Sequence, residues 1–215
     1  MGSYNKGILG PFRGKVGSVI GYSWRGKELM RGLPKETTTA ATAAQLEQRA
    51  KFSTVIKFLT PIKGIVGAYF GKEQKSKSPF NLATGYHLDE ALLPGPDDSW
   101  LIDYPKVLIS RGDLRGVDNP VLTAGAANEI NLTWTDNSGQ ASADATDQLV
   151  AVAFCTEMGE FVQFNPAAAT RADAAVTLTI PGYLSGTLAE VWVTFVTADG
   201  KLAAISSYAG SVTVP

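Results

Sequence analysis

Apolar and polar positions alternate near the start of the chain. From Lys15 to Trp24, the residues Val16, Ile20, Tyr22 and Trp24 share one face with Ser18 between them. Lys15, Gly17, Gly21 and Ser23 share the other, with Val19 the one large apolar exception. A period of two predicts a strand. Arg25-Gly26 then turns the chain, and Lys27 to Leu33 returns as a second short strand closed by Pro34. The glycines at 7, 10, 14, 17 and 21 are also spaced like a helix-packing stripe. Five interior glycines would cost a helix about 4–5 kcal/mol relative to alanine, and Pro11 sits among them. Strand and turn is therefore the reading, with glycine on one face marking close approach of another backbone.

The period then lengthens. Thr37-Thr38-Thr39 offers an N-cap, and Ala40 to Leu59 reads as a helix with Ala44, Gln48, Phe52, Val55, Ile56 and Leu59 on its apolar stripe. Pro61 stops it, and Ile62 to Phe70 predicts a second, short helix packed on the first. Lys72 to Pro79 is a polar loop, Phe80 to Leu92 a helix, Pro94 to Asp98 a turn, and Pro105 to Ser110 a strand. In the last hundred residues, alternating runs recur at Ile130 to Trp134, Gln148 to Phe154, Phe161 to Phe164, Ala175 to Ile180, Glu190 to Val196 and Leu202 to Tyr208, and Ser211 to Val214 closes. Turn residues such as Asp136-Asn137-Ser138-Gly139, Pro181-Gly182 and Asp199-Gly200 separate them. About seven strands at this spacing predict an immunoglobulin-like sandwich. Trp134, near the end of the first of these runs, resembles the strand-B tryptophan of fibronectin type III modules. The tyrosine corner of those modules is missing, since Ala189 and Val191 stand at the matching positions.

The fold class expected is thus α+β. A basic N-terminal β-ribbon and helical segment spans 1–77 and a connecting segment 78–118. A C-terminal immunoglobulin-like (fibronectin type III-like) β-sandwich spans 119–215. Charge sharpens this division. Residues 1–77 hold fourteen basic and four acidic side chains, a balance of +10, whereas 78–215 hold five basic and sixteen acidic, a balance of −11. Such asymmetry points to a basic segment that meets something acidic. The one cysteine, Cys155, excludes an intramolecular disulfide and a four-cysteine zinc site. No run of eighteen apolar residues occurs, and the first residues lack the apolar stretch of a secretory signal. Cytoplasmic synthesis is expected, and release by lysis or a signal-independent route would leave no mark.

Several strings carry a family resemblance: Gly7-Ile8-Leu9-Gly10-Pro11-Phe12-Arg13-Gly14-Lys15-Val16-Gly17, Trp24-Arg25-Gly26, Ala44 to Phe52, Ser110-Arg111-Gly112-Asp113-Leu114 and Trp134 to Gly139. Together they resemble an uncharacterised family from Bacteroidota, over nearly the whole chain. That family is a domain of unknown function, so the resemblance implies a shared fold and no activity. The glycine-rich opening is also similar to small structural proteins of phage-like elements.

The chemistry-bearing residues are few. His87 is the only histidine, so any Ser-His-Asp or Cys-His mechanism would rest on it. It falls in a different segment from Cys155, which ends an apolar strand run where a buried thiol is ordinary. Asp89-Glu90 and Asp97-Asp98 are sequence neighbours that point apart, and the second pair lies in a solvated turn. Gly67 to Lys72 and Gly10 to Val16 place three residues between glycines where a phosphate loop needs four. Arg111-Gly112-Asp113 matches the integrin tripeptide, but three-residue matches arise by chance, and a bend is the plainer reading. What remains is the ribbon, where Lys6, Arg13, Lys15, Arg25, Lys27 and Arg31 interleave with Tyr4, Phe12, Tyr22 and Trp24. These six cations are the candidate contacts for assembly or for a polyanion. The expectation is a non-enzymatic, self-assembling structural protein without cofactor, membrane or small-molecule substrate. Nucleic-acid binding through the ribbon is the alternative.

Overall fold

The computed structural model describes residues 2–3, 12–35, 40–72, 74, 77–97, 99–164 and 169–215. The chain divides after Thr42 into two units, 1–42 and 43–215. In the first, β1 (Gly2–Ser3), β2 (Gly14–Val16), β3 (Val19–Trp24) and β4 (Lys27–Gly32) form a sheet in the order β1-β4-β3-β2. The one strand expected from Lys15 to Trp24 is broken at Gly17-Ser18. Gly17 takes φ +58, as the first position of a type II′ turn requires, and Val16 pairs with Val19. Arg25 and Gly26, at φ 50 and 72, supply the two left-handed positions of a type I′ turn between Trp24 and Lys27. At Gly21 the close approach read from sequence is real: an added Cβ would lie 2.3 Å from the Phe12 carbonyl oxygen. The Thr37-Thr38-Thr39 cap lies outside the described residues.

The second unit opens with α1 (Ala43–Leu59), α2 (Lys63–Tyr69) and α3 (Pro79–Glu90). Ser78 caps α3 by accepting from the Asn81 N–H at 3.3 Å, and Pro79 supplies the pre-set first position. A hairpin of β5 (Leu92–Pro94) and β6 (Trp100–Ile102) follows, then β7 (Asp118–Ala124), β8 (Glu129–Thr135), β9 (Gln148–Cys155), β10 (Glu160–Gln163), β11 (Ala175–Thr179), β12 (Leu188–Val196) and β13 (Ser207–Thr213). The last seven strands make two sheets, β11-β8-β7 and β10-β9-β12-β13. Their facing sides close over Ile130, Leu132, Trp134, Leu178, Ala151, Val191, Val193 and Phe195.

Two expected strands are not formed. Pro105 to Ser110 becomes a 3-10 turn at Tyr104–Lys106 followed by an irregular strap. The strap is held by Ser206 Oγ, which accepts from the Ile109 N–H at 2.9 Å, and by Ser110 Oγ, 2.7 Å from Thr194 Oγ1. Leu202 to Ser206 makes only isolated bridges at Ala203 and Ala204, and the last strand starts at Ser207. The seventh strand is instead β7, which carries a register shift between Asp118 and Val121 next to Pro120.

The division after Thr42 replaces the expected boundaries at 77 and 118, and the cause lies in β9 and β12. Both are buried on both faces, the pattern of strands covered from two sides. Val152, Trp192 and the partly buried Phe154 point away from the sandwich core into a second core with Val55, Phe58, Leu59, Ile62, Val66, Val107 and Ile109. Phe58 meets Phe154, Phe161 and Trp192 edge-on at 5.3, 5.0 and 6.0 Å, and the Trp192 Nε1–H donates to the Tyr104 carbonyl at 2.9 Å. Each buried side chain of this size contributes about 1.5–3 kcal/mol. The helices and the segment 78–118 are therefore the third layer of one unit. The buried face of α1 also differs from the expected stripe. Val55, Phe58 and Leu59 are buried, while Phe52 is 51% exposed and Ala44 and Gln48 are exposed. The face is rotated toward Lys51, whose ammonium lies 4.1 Å from the Trp100 ring centroid.

Candidate functional site

The strand register of the N-terminal sheet decides which ribbon residues act together. Directly paired residues share a face. Lys15 pairs with Ile20, Ile20 with Arg31, Tyr22 with Leu29 and Trp24 with Lys27. One face therefore carries Lys15, Lys27 and Arg31 among Ile20, Tyr22, Trp24 and Leu29. The sequence placed Lys15 opposite the aromatics, but the turn at Gly17-Ser18 reverses the chain and moves Lys15 onto their face. Val16 moves to the other face with Val19.

Lys15, Lys27 and Arg31 are exposed. The Arg31 guanidinium stands 5.6 Å from the Tyr22 ring centroid, and that of Arg25, in the turn, stands 5.3 Å from Trp24. Trp24 is 45% exposed, so each pair contributes about 0.5–1 kcal/mol, as exposed cation–π contacts do. Arg13 is exposed just before β2. Lys6 and Tyr4 lie outside the described residues. The first unit, 1–42, holds seven basic against two acidic residues, a balance of +5, and 43–215 holds twelve against eighteen, a balance of −6.

The other candidates are spoken for. His87 is fully buried on α3. Its Nδ1 is 2.8 Å from the Ala83 carbonyl and its Nε2 accepts from the Leu108 N–H at 3.4 Å, which fixes the neutral Nδ1–H tautomer. Burial pushes its pKa below the ordinary value. Cys155 is buried in the sandwich core, away from the His87 core, so the two form no dyad. Among the described residues no group of three His, Cys, Asp or Glu stands close enough to hold a metal. Gly67 lies inside α2, so Gly67 to Lys72 is a helix end rather than a phosphate loop. In Arg111-Gly112-Asp113, the glycine has a packing reason: a Cβ there would lie 2.2 Å from the Ala203 carbonyl oxygen.

One buried cluster left no mark in the sequence reading. Arg171, with no exposed surface, donates through Nε and Nη2 to Asp147 Oδ2 at 3.1 and 2.9 Å. It also bonds Asn137 Oδ1 and the Arg115 carbonyl, and its guanidinium lies 4.0 Å from the Phe195 ring centroid. The Trp134 Nε1–H donates to the Arg171 carbonyl at 2.9 Å. The cluster locks the end of the sandwich core.

The chain is a member of the family of unknown function DUF6266, whose model matches residues 11–210, which bears out the resemblance to a domain of unknown function and carries no indication of organism. No curated protein matches it. Among solved structures, the fibronectin type III domain of human collagen alpha-1(XX) chain is similar at 16% identity and a TM-score of 0.36, covering 47% of this chain and 86% of that domain.

Proposed function

We propose that this is a non-enzymatic structural protein that assembles with copies of itself, the basic sheet of one copy docking on the acidic second unit of the next. The observation that carries this reading is the register that gathers Lys15, Lys27 and Arg31 on one face of a +5 unit, joined to a −6 unit in the same chain. Opposite charge on two different surfaces favours a head-to-tail contact, and such contacts build rings or filaments. The seven-stranded part of 43–215 is read as fibronectin type III-like, supported by its three-plus-four strand order and by the buried Trp134 in the second strand.

Sedimentation at low and high salt tests the assembly. Association is expected at low salt and should fade as exposed charges are screened, over about 10 Å at 0.1 M. Changing Lys15, Lys27 and Arg31 to Glu should abolish it. A wild-type protein that stays monomeric at high concentration and low salt refutes the reading. The second reading, nucleic-acid binding, has its own observation: Tyr22 and Trp24 lie beside cations on the same face, a combination that stacks bases and neutralises phosphates. In that case nuclease treatment disperses the assembly, and the purified chain is retained on DNA at low salt.

A further inference from the structure

A cleft of about 820 Å³ opens in the second unit between α3 and the segments around Arg111–Asp113 and Lys201–Ile205. Its lining mixes polar and apolar groups, and Leu82 and Tyr86 of α3 line it together with Leu202 and Ile205, which are 41% and 51% exposed. Apolar side chains left open inside a concave site mark a binding surface more than scattered ones do.

The charge of the cleft is ordered along α3. Lys72 and Lys77 line it in the stretch that leads into α3, Lys77 being bridged to Gln74. Asp89 and Glu90 line the end where it finishes. None of these four has an ion-pair partner among the described residues. Helices are ordinarily stabilised by acids at the start and cations at the finish. Here the side chains add to the macrodipole instead of opposing it, so the arrangement does nothing for the helix itself. Among the described residues the remaining charges of the lining nearly balance: Arg111 and Asp113 line it together, and Lys201 is paired with Asp199 at 2.9 Å.

We infer that this cleft binds an extended polypeptide segment with a carboxylate at one end, a cationic side chain at the other and apolar residues between. The twelve residues of α3 span about 18 Å, the length of roughly five or six extended residues. Alternate side chains of such a segment face Leu82, Leu202 and Ile205. Its carboxylate lies toward Lys72 and Lys77 and its cation toward Asp89 and Glu90.

Three end-blocked hexapeptides test this: Asp-Leu-Thr-Leu-Thr-Lys and the two versions with like charges at both ends. They are titrated into the full chain and followed by amide chemical shifts. The dipolar peptide should bind at least tenfold tighter than either like-charged one. The exposed pair Asp89→Lys and Glu90→Lys, made together, should transfer the preference to the peptide with two Asp residues, with the thermal melt no lower than the parent's, since cations at the helix end oppose the macrodipole. Absence of binding, equal affinity for all three peptides, or an unaltered preference in the double variant overturns the inference.

Discussion

Removing one member of the Arg171–Asp147 pair should be costly, and removing both should not repair the loss. Both side chains are buried, at 0% and 2% exposure. Asp147→Asn strands a buried guanidinium and Arg171→Met strands a buried carboxylate, so each should lose about 3–5 kcal/mol. Replacing a buried ion pair by apolar residues is often neutral, and that is where this site should differ. Arg171 also satisfies Asn137 Oδ1 and the Arg115 carbonyl. Its Nη1 also donates to the Gly116 carbonyl at 3.4 Å, but that carbonyl keeps a partner, because the Asn137 Nδ2–H donates to it at 3.0 Å. Two acceptors, and the Asp144 N–H that donates to Asp147 Oδ2 at 3.0 Å, therefore lose their partners in an Arg171→Met, Asp147→Leu double variant; at about 1–3 kcal/mol for each buried group, the remaining deficit is at least about 2 kcal/mol. Urea unfolding followed by tryptophan fluorescence measures all three variants. A double variant within 1 kcal/mol of the parent would show that Arg171 serves Asp147 alone and refute the reasoning.

Two further outcomes follow from the layering and from His87. A fragment of 43–215 should unfold cooperatively, whereas 117–215 lacks the cover of Trp192 and Val152 and should bind a hydrophobic dye; a dye-free, cooperative 117–215 contradicts the shared core. For His87, burial lowers the folded pKa from its ordinary 6.5, so on acidification the unfolded chain takes up the proton first. Its contribution to stability is complete above about pH 6.5 and is lost as pH falls below that value. Unfolding free energy should therefore drop between pH 7.5 and 5.5 and His87→Gln should remove the drop, an unchanged slope in the variant being the contrary result.

The strands β8, β9, β11 and β12 were legible because each is an apolar run between turn residues, and the helix at 79–90 was placed between a polar loop and the turn at Pro94 to Asp98, although its Ser78 cap and Pro79 start went unread. The N-terminal hairpin was misread at a single point. Gly17-Ser18 fits a continuous alternation as well as a turn, and choosing the strand put Lys15 on the wrong face. Since the candidate site is defined by faces, that one turn decides its composition. The α1 stripe failed for a different reason. Phe52 looks like a core residue by type, while Lys51 and Phe58 take their places from Trp100, Phe154 and Trp192, which are distant in sequence. The double burial of Leu149 to Phe154 and Val191 to Val196 did leave a signal, near-continuous apolar runs in place of strict alternation. The cleft along α3 left none, because one of its walls, Lys201–Ile205, follows α3 by more than a hundred residues.

Because β12 is the wall common to both cores, the order of synthesis matters. The helical layer leaves the ribosome first, with Val55, Phe58, Ile62 and Val66 facing nothing, and Trp192 follows Val55 by 137 residues. At ordinary elongation rates that is a delay of about 7–27 s, long against the microseconds in which apolar chain segments collapse. The nascent helices must spend that interval either clustered with one another or held by a chaperone. Slowing translation beyond Tyr104 should therefore lower the soluble yield of this protein more than slowing it after Val196.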